Sequence, residues 1–165
     1  TPWGVMEFLR LAAAHGLPRV VSIQNAYSLV NRTFESGLAE ISFREQVPLL
    51  PYSVLAFGHL TGKYLTDPNA RGRVSLFPGF GQRYGSGNVR AAAQAYSILA
   101  GRHGLTPTQL AIGFVRSRGF VASTILGATS LEQLRENIAA WTQALPGEVL
   151  EDIEQIHLRH TNPAP

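Results

Sequence analysis

Apolar residues recur at helical spacing from the start of the chain. Val5, Phe8, Leu9 and Ala12 share one stripe, which predicts a helix from about Pro2 to His15 with Gly16 as its stop. Thr1-Pro2 supplies the cap and the first-turn proline. After Pro18, the run Arg19-Val20-Val21-Ser22-Ile23-Gln24 reads as a short buried strand. A second helix fits Phe34 to Glu45, with Phe34, Leu38 and Ile41 on one face. Val47 to Ser53 reads as the next strand, although Pro48 and Pro51 suit a central strand poorly. From Val54 to Gly87 the chain is rich in Gly, Pro, Arg and aromatics and has no period, with one helical turn near His59 to Tyr64. A connection that long is more often functional than idle. Helix resumes at about Val89 and stops at Gly104. Thr106-Pro107-Thr108-Gln109 is a capping box that starts another helix, to about Arg118. Val121 to Leu126 reads as a third strand. Ser130-Leu131-Glu132-Gln133 is a second capping box, opening a helix to about Ala144, and Glu148 to Leu158 form a last amphipathic helix.

Strands alternating with helices predict an α/β fold with a parallel sheet and right-handed crossovers. Three strands are too few, because a parallel sheet needs cover on both faces and otherwise leaves raw edges. Residues 1–165 show no internal repeat or linker and read as one partial domain. Thr1 in place of a methionine fits a chain that starts within a larger unit.

The 45% apolar content is that of an ordinary globular protein. A net charge of +3 is too small and too dispersed to argue for nucleic acid. The absence of cysteine removes disulfide scaffolds, thiol nucleophiles and thiolate metal sites, and suits a reducing compartment. No apolar run approaches the roughly 18 residues that span a bilayer, and no signal peptide opens the chain. A cytoplasmic setting without membrane or nucleic-acid partners is expected.

Gly58-His59-Leu60-Thr61-Gly62-Lys63 imitates a phosphate loop, but it is one residue short and Tyr64 stands where a magnesium-binding hydroxyl is needed. His157 and His160 have no further ligand at metal spacing and read as solvated helix positions. No self-contained nucleophile and base is present. The informative segments are strand ends. Gln24-Asn25 offers two amides for another amide, and Tyr52-Ser53 offers an aromatic for a flat ring. Gly127-Ala128-Thr129-Ser130 leads straight into a capped helix, where backbone N–H groups suit an anion. Parallel barrels bind ligands at such strand ends, with phosphates near the last two strands.

The segments Ser22-Ile23-Gln24-Asn25-Ala26-Tyr27-Ser28, Pro51-Tyr52-Ser53 through Leu60-Thr61-Gly62-Lys63-Tyr64, and Leu126-Gly127-Ala128-Thr129 through Glu136-Asn137 resemble the aldo/keto reductases. The nearest likeness is to the Tas-like branch, related to the β-subunits of voltage-gated potassium channels, and it runs along essentially the whole chain. The resemblance implies the C-terminal half of a (β/α)₈ barrel that binds NADPH and reduces a small-molecule aldehyde or ketone. It implies that Gln24 bonds the nicotinamide carboxamide and that Tyr52 stacks on the nicotinamide ring. Ser53, Leu55 and Gly58 would line the pyrophosphate. Lys63 would reach its phosphates or the nearby ribose phosphate, and Arg73 would close over it, with Arg71 as the competing choice. Thr129 and Gln133 would hold the 2′-phosphate, and Glu136 and Asn137 the adenine end.

Two departures from the family pattern bear on this. Many reductases carry Arg where Gln133 stands and often Lys-Ser where Ala128-Thr129 stand; Gln133 cannot neutralise a 2′-phosphate, which leaves the choice between NADPH and NADH open, with Lys63 and Arg73 as the cations that could compensate. The family's catalytic Asp, Tyr, Lys and His lie in the other half of the barrel, and none of Tyr27, Tyr52, Tyr64, Tyr84 or Tyr96 matches the tyrosine. The expected assembly is therefore this half plus an N-terminal half, with no catalytic residue here. The alternatives are a cofactor-binding module that docks a partner without catalysis, and a half-barrel that pairs with itself or with a separate chain.

Overall fold

The computed structural model describes residues 1–67, 69–77 and 79–165; Pro68 and Pro78, both in the predicted long connection, lie outside them. The opening helix α1 spans Pro2–His15. The Thr1 hydroxyl accepts from Gly4 N at 3.1 Å, and Gly16 closes the helix at φ 62°, a left-handed turn that favours glycine. Strand β1 is Ile23–Ala26 and β2 is Leu49–Tyr52, parallel, with Gln24 opposite Leu50 and Ala26 opposite Tyr52. Between them a 3-10 turn at Thr33–Ser36 is separated by Gly37 from α2, Leu38–Glu45. The single helix expected there is broken where α1 presses in, since a β-carbon on Gly37 would lie 3.0 Å from Pro2 Cγ.

Both strands are shorter than their apolar runs. β1 begins at Ile23 because its first partner group is the Pro48 carbonyl, which accepts from Ile23 N at 2.9 Å. Arg19 is drawn aside instead, its guanidinium donating to the Glu45 carbonyl. The expected third strand, Val121 to Leu126, is not a strand. It runs beside β2 with Leu49 N donating to Phe120 O (2.7 Å), Ala122 N to Leu49 O (3.0 Å) and Ile125 N to Pro51 O (2.9 Å), and only the Leu49–Val121 bridge is regular. Pro51 faces this segment without an N–H, so the ladder loses a rung between Ala122 and Ile125.

After β2 come a 3-10 segment at Ala56–Thr61, the short helices α3 (Lys63–Thr66) and α4 (Arg73–Leu76), and a 3-10 turn at Gln82–Tyr84. The long connection is thus far more ordered than its sequence predicts. Helices α5 (Gly87–Arg102), α6 (Pro107–Arg116), α7 (Leu131–Thr142) and α8 (Gly147–Arg159) complete the chain. The Thr106–Gln109 capping box forms in both directions, at 3.1 and 2.8 Å. The one at Ser130 does not. Ser130 Oγ accepts from Gln133 N (3.3 Å), but the Gln133 side chain turns away to Thr129.

The core lies between the sheet and helices α5, α6 and α8. Tyr27 stacks on Phe114 (5.8 Å between centroids) and meets Phe120 edge-on (5.4 Å). The remaining face of the sheet carries the exposed Gln24 and Tyr52 around a half-buried Leu50.

An ionic knot ties the segment after β1 to α8. Arg32, only 5% exposed, reaches Glu35 at 2.8 Å and Glu154 at 2.9 Å, and Arg118 also reaches Glu154 at 2.8 Å. The Tyr27 hydroxyl donates to Glu35. Partial burial pushes the Glu154 carboxyl upward, but hydrogen bonds from Arg32 and Arg118 outweigh this and hold its pKa below the ordinary 4.5. A carboxyl with a depressed folded pKa stabilises the fold fully above its unfolded value and loses that contribution as pH falls through the folded one. The urea midpoint is therefore expected to drop as pH goes below about 4.5, and less steeply in Glu154→Gln. Equal slopes in the two proteins would remove Glu154 from this role.

Candidate functional site

The C-terminal end of β2 runs into a backbone of unusual shape. Ser53, Ala56 and Phe57 hold φ of 56°, 47° and 55°, and Gly58 follows at 96°. Three non-glycine residues in the left-handed region within five positions cost of order 1 kcal/mol or more each, and such strain clusters at working sites. Gly58 is also needed for space, since a β-carbon there would lie 2.9 Å from Lys63 Cε.

This turn forms one wall of a cleft of ≈ 1160 Å³. The opposite wall is the segment 125–129 with the start of α7, and the floor includes Thr106 to Thr108. Ten of the eleven residues expected at the site line it: Tyr52, Ser53, Leu55, Gly58, Lys63 and Arg73 from the β2 side, and Thr129, Gln133, Glu136 and Asn137 from the α7 side. Gln24 does not. It sits on β1, on the same sheet face as Tyr52 and beyond the cleft's edge. Its neighbour Asn25 lies on the opposite sheet face, and its Oδ1 accepts locally from Ala26 N at 2.8 Å.

Charge and aromatic character separate along the cleft. Lys63, Arg71 and Arg73 line its middle, and none of them is salt-bridged to a carboxylate among the described residues. Lys63 Nζ donates to the Arg71 carbonyl (3.3 Å) and lies 4.8 Å from the centre of the Tyr64 ring. The Arg73 guanidinium is 5.2 Å from the Phe57 ring centre, and its Nη2 reaches to within 3.8 Å of where a Gly127 β-carbon would be, so this side chain spans the cleft. At the α7 end, Gln133 Oε1 accepts from Thr129 N (2.9 Å) and Thr129 Oγ1 (3.1 Å). Glu136 accepts from Thr106 Oγ1 (2.9 Å), and the buried Asn137 donates to the Gly127 carbonyl (3.5 Å).

The sequence reading leaves the N–H groups at this helix start free for an anion; the structure has three of them engaged. Gln133 N bonds to Ser130, Thr129 N to Gln133, and the Glu132 carboxylate bonds back to its own N–H and to Ser130, which holds its pKa low. An anion at this end must displace side chains, whereas the cations in the middle are ready for one.

Sequence reasoning overlooks Tyr84, Phe57 and Phe80. Tyr84 is buried against Ser53 and Tyr52, and burial raises its pKa while a hydrogen bond with Ser53 works against the rise. His59 packs between Tyr64 and Tyr84, and burial followed by the Lys63 charge holds it below its ordinary 6.5, so it is neutral at pH 7. These residues lie in a stretch without period; their only sequence signal is the density of aromatics among glycines.

A comparison with protein families matches residues 1–158 to the Aldo/keto reductase family. The chain belongs to that family. Among curated relatives, "Protein tas" of Escherichia coli (strain K12) and of Shigella flexneri are each 52% identical over 166 residues, which cover all of this chain and 48% of theirs. An "Aldo-keto reductase" of Babesia bovis is 37% identical over 171 residues, 99% of this chain and 60% of its own length. Identity with the Tas proteins along its full length puts the chain in the Tas-like branch of the family. The chain spans about half the length of those relatives.

The family implies a nicotinamide dinucleotide, and the donor set suits one. An exposed aromatic stands at one end, uncommitted cations in the middle and amide and carboxylate groups at the other end, along a cleft somewhat larger than a drug-sized pocket. Among the described residues no three His, Cys, Asp or Glu side chains gather as a metal site, and no helix is long and apolar enough to cross a membrane.

Proposed function

We propose that this chain is the dinucleotide-binding, C-terminal half of a (β/α)₈ barrel in an NADPH-dependent aldo/keto oxidoreductase that reduces aldehydes or ketones. The observation that carries the reading is the gathering of ten of the eleven expected residues on one cleft. In this reading Tyr52 stacks on the nicotinamide, and Gln24, on the same sheet face, bonds its carboxamide. Ser53, Leu55 and the Gly58 backbone line the pyrophosphate. Lys63 and Arg73 neutralise the phosphates from the β2 side, Arg73 reaching across the cleft toward Gly127. Thr129 and Gln133 exchange their mutual hydrogen bonds for the 2′-phosphate, and Glu136 and Asn137 hold the adenine end. The exposed sheet face and the edge of β1, which has no strand partner among the described residues, meet the N-terminal half of the barrel.

When bound, the reduced dinucleotide supplies the hydride; the chain's own residues bind and orient it and shield the site. The proton for the carbonyl oxygen comes from a residue outside this half. Consistent with that, burial pushes the hydroxyl pKa of Tyr27, Tyr84 and Tyr96 upward, the wrong direction for a proton donor.

Tyr52→Ala in the full-length protein that carries this chain is expected to slow single-turnover hydride transfer about tenfold, the value of one lost ring contact at 1–1.5 kcal/mol. An unchanged rate with saturating NADPH would take Tyr52 out of this role.

A further inference from the structure

A second hollow, of ≈ 240 Å³, adjoins the cleft and shares Tyr52, Ser53 and Phe57 with it. Its outer wall is the turn at 80–84. Phe80 stacks on Phe57, the rings 4.9 Å apart and within 3° of parallel. The exposed Arg83 sits 6.0 Å from the Tyr84 ring centre and has no salt bridge to a carboxylate among the described residues. The wall depends on Gly81, at φ +76°. A β-carbon there would lie 2.6 Å from Phe57 Cδ2 and 3.2 Å from Val74 Cγ1, so only glycine lets the turn close on the Phe57 ring.

Size and chemistry narrow what fits. A cavity of about 150 Å³ takes a benzene ring, so this hollow has room for one aryl ring with a small substituent, and not for a nucleoside. Its walls are largely aromatic, and among the described residues no Asp or Glu lines it. A guanidinium at the rim without a carboxylate partner among the described residues matches the fork geometry of a carboxylate. Position completes the argument. The hollow touches the cleft at Tyr52, the nicotinamide end of the reading above, and lies away from Thr129 and Gln133. A group seated here is beside the reacting end of the cofactor and belongs to the other reactant.

We propose that this hollow receives the non-reacting end of the carbonyl substrate, an aryl group bearing a carboxylate, with Phe80 on the ring and Arg83 on the carboxylate. The inference rests on the cofactor reading for the word substrate, and on the hollow alone for the ligand chemistry. It makes Arg83 the residue that separates anionic aryl aldehydes from neutral ones.

The test is equilibrium binding of 4-carboxybenzaldehyde and benzaldehyde to the full-length protein, with and without NADP⁺, in wild type, Arg83→Gln and Phe80→Ala. NADPH is titrated into the same preparations. Wild type is expected to bind the carboxylated probe up to about tenfold more tightly than benzaldehyde, the low end for a charge-assisted hydrogen bond because Arg83 is exposed. Arg83→Gln is expected to abolish the difference, and Phe80→Ala to weaken both probes. Equal binding of the two probes by wild type, or a preference that survives Arg83→Gln, overturns the proposal. The NADPH titration decides the cofactor reading separately, since an Arg83-dependent preference stands whether or not the dinucleotide binds.

Discussion

Replacing Lys63 and Arg73 together by alanine is expected to weaken NADPH binding about a hundredfold at low ionic strength. In the proposed reading each side chain supplies a charge-assisted hydrogen bond to phosphate, and such bonds carry about 1.5–3 kcal/mol. Both are partly solvated, so the lower figure applies, and two losses of about 1.5 kcal/mol make roughly two decades. Lys63 comes from α3 and Arg73 from α4 across to Gly127, but both meet the same phosphates, so the hundredfold figure is the sum of the two losses without coupling. Salt provides the diagnostic. At 1 M the screening length is about 3 Å, and the wild-type advantage should shrink toward tenfold or less. The readout is the change in nicotinamide fluorescence on titration at low and high salt. A loss that is the same at both would mean that the substitutions disturb packing, which is plausible for Lys63 because its stem fills the space under Gly58. Lys63→Met with Arg73→Met keeps the stems and isolates the charge.

The second large effect is on stability. Arg32→Met is expected to cost about 2–4 kcal/mol of unfolding free energy, below the full penalty of breaking a buried pair because Glu154 is 42% exposed. Arg32 holds two carboxylates from opposite sides, and its guanidinium sits 5.2 Å from the Phe114 ring centre, in the aromatic core. Without it, Glu35 retains the Tyr27 hydroxyl and Glu154 retains Arg118, but neither carboxylate keeps its buried countercharge. Urea unfolding should show a lower midpoint at an unchanged slope. Adding Glu35→Gln should return part of the loss, because it removes one of the stranded charges. A cost below about 0.5 kcal/mol, the size of an ordinary surface change, would mean that the knot is incidental to the fold.

Helix ends were the most legible features of the sequence, because their signals are local. Thr1, Pro2 and Gly16 bound α1, and the Thr106–Gln109 pair forms in both directions, as their spacing demands. The sheet was less legible because strand limits are set by partners. The Arg19–Ser22 run is as apolar as a strand requires, yet β1 starts only where the Pro48 carbonyl meets it. The third strand fails for a reason written in Pro51, whose missing N–H faces that segment and no other. At Ser130 the motif alone cannot say that Gln133 will prefer two donors on Thr129 to one on its own cap.

The candidate site divides in the same way. Residues that follow strand ends or open a capped helix could be named from the sequence, and ten of them share a cleft. Those on the turn at 80–84 could not, because nothing periodic places Phe80 over Phe57 or Tyr84 beneath Ser53. That placement depends on Gly81 allowing the turn to close.

The central claim is that the cleft between the β2 end and the α7 start holds a nicotinamide dinucleotide. A crystal structure of the full-length protein grown with NADPH tests it most directly. The account predicts the nicotinamide on the Tyr52 ring, the pyrophosphate between Lys63 and Arg73, and the adenine end beside Glu136 and Asn137. A dinucleotide found elsewhere, running the opposite way along the cleft, or absent at saturating concentration would contradict it.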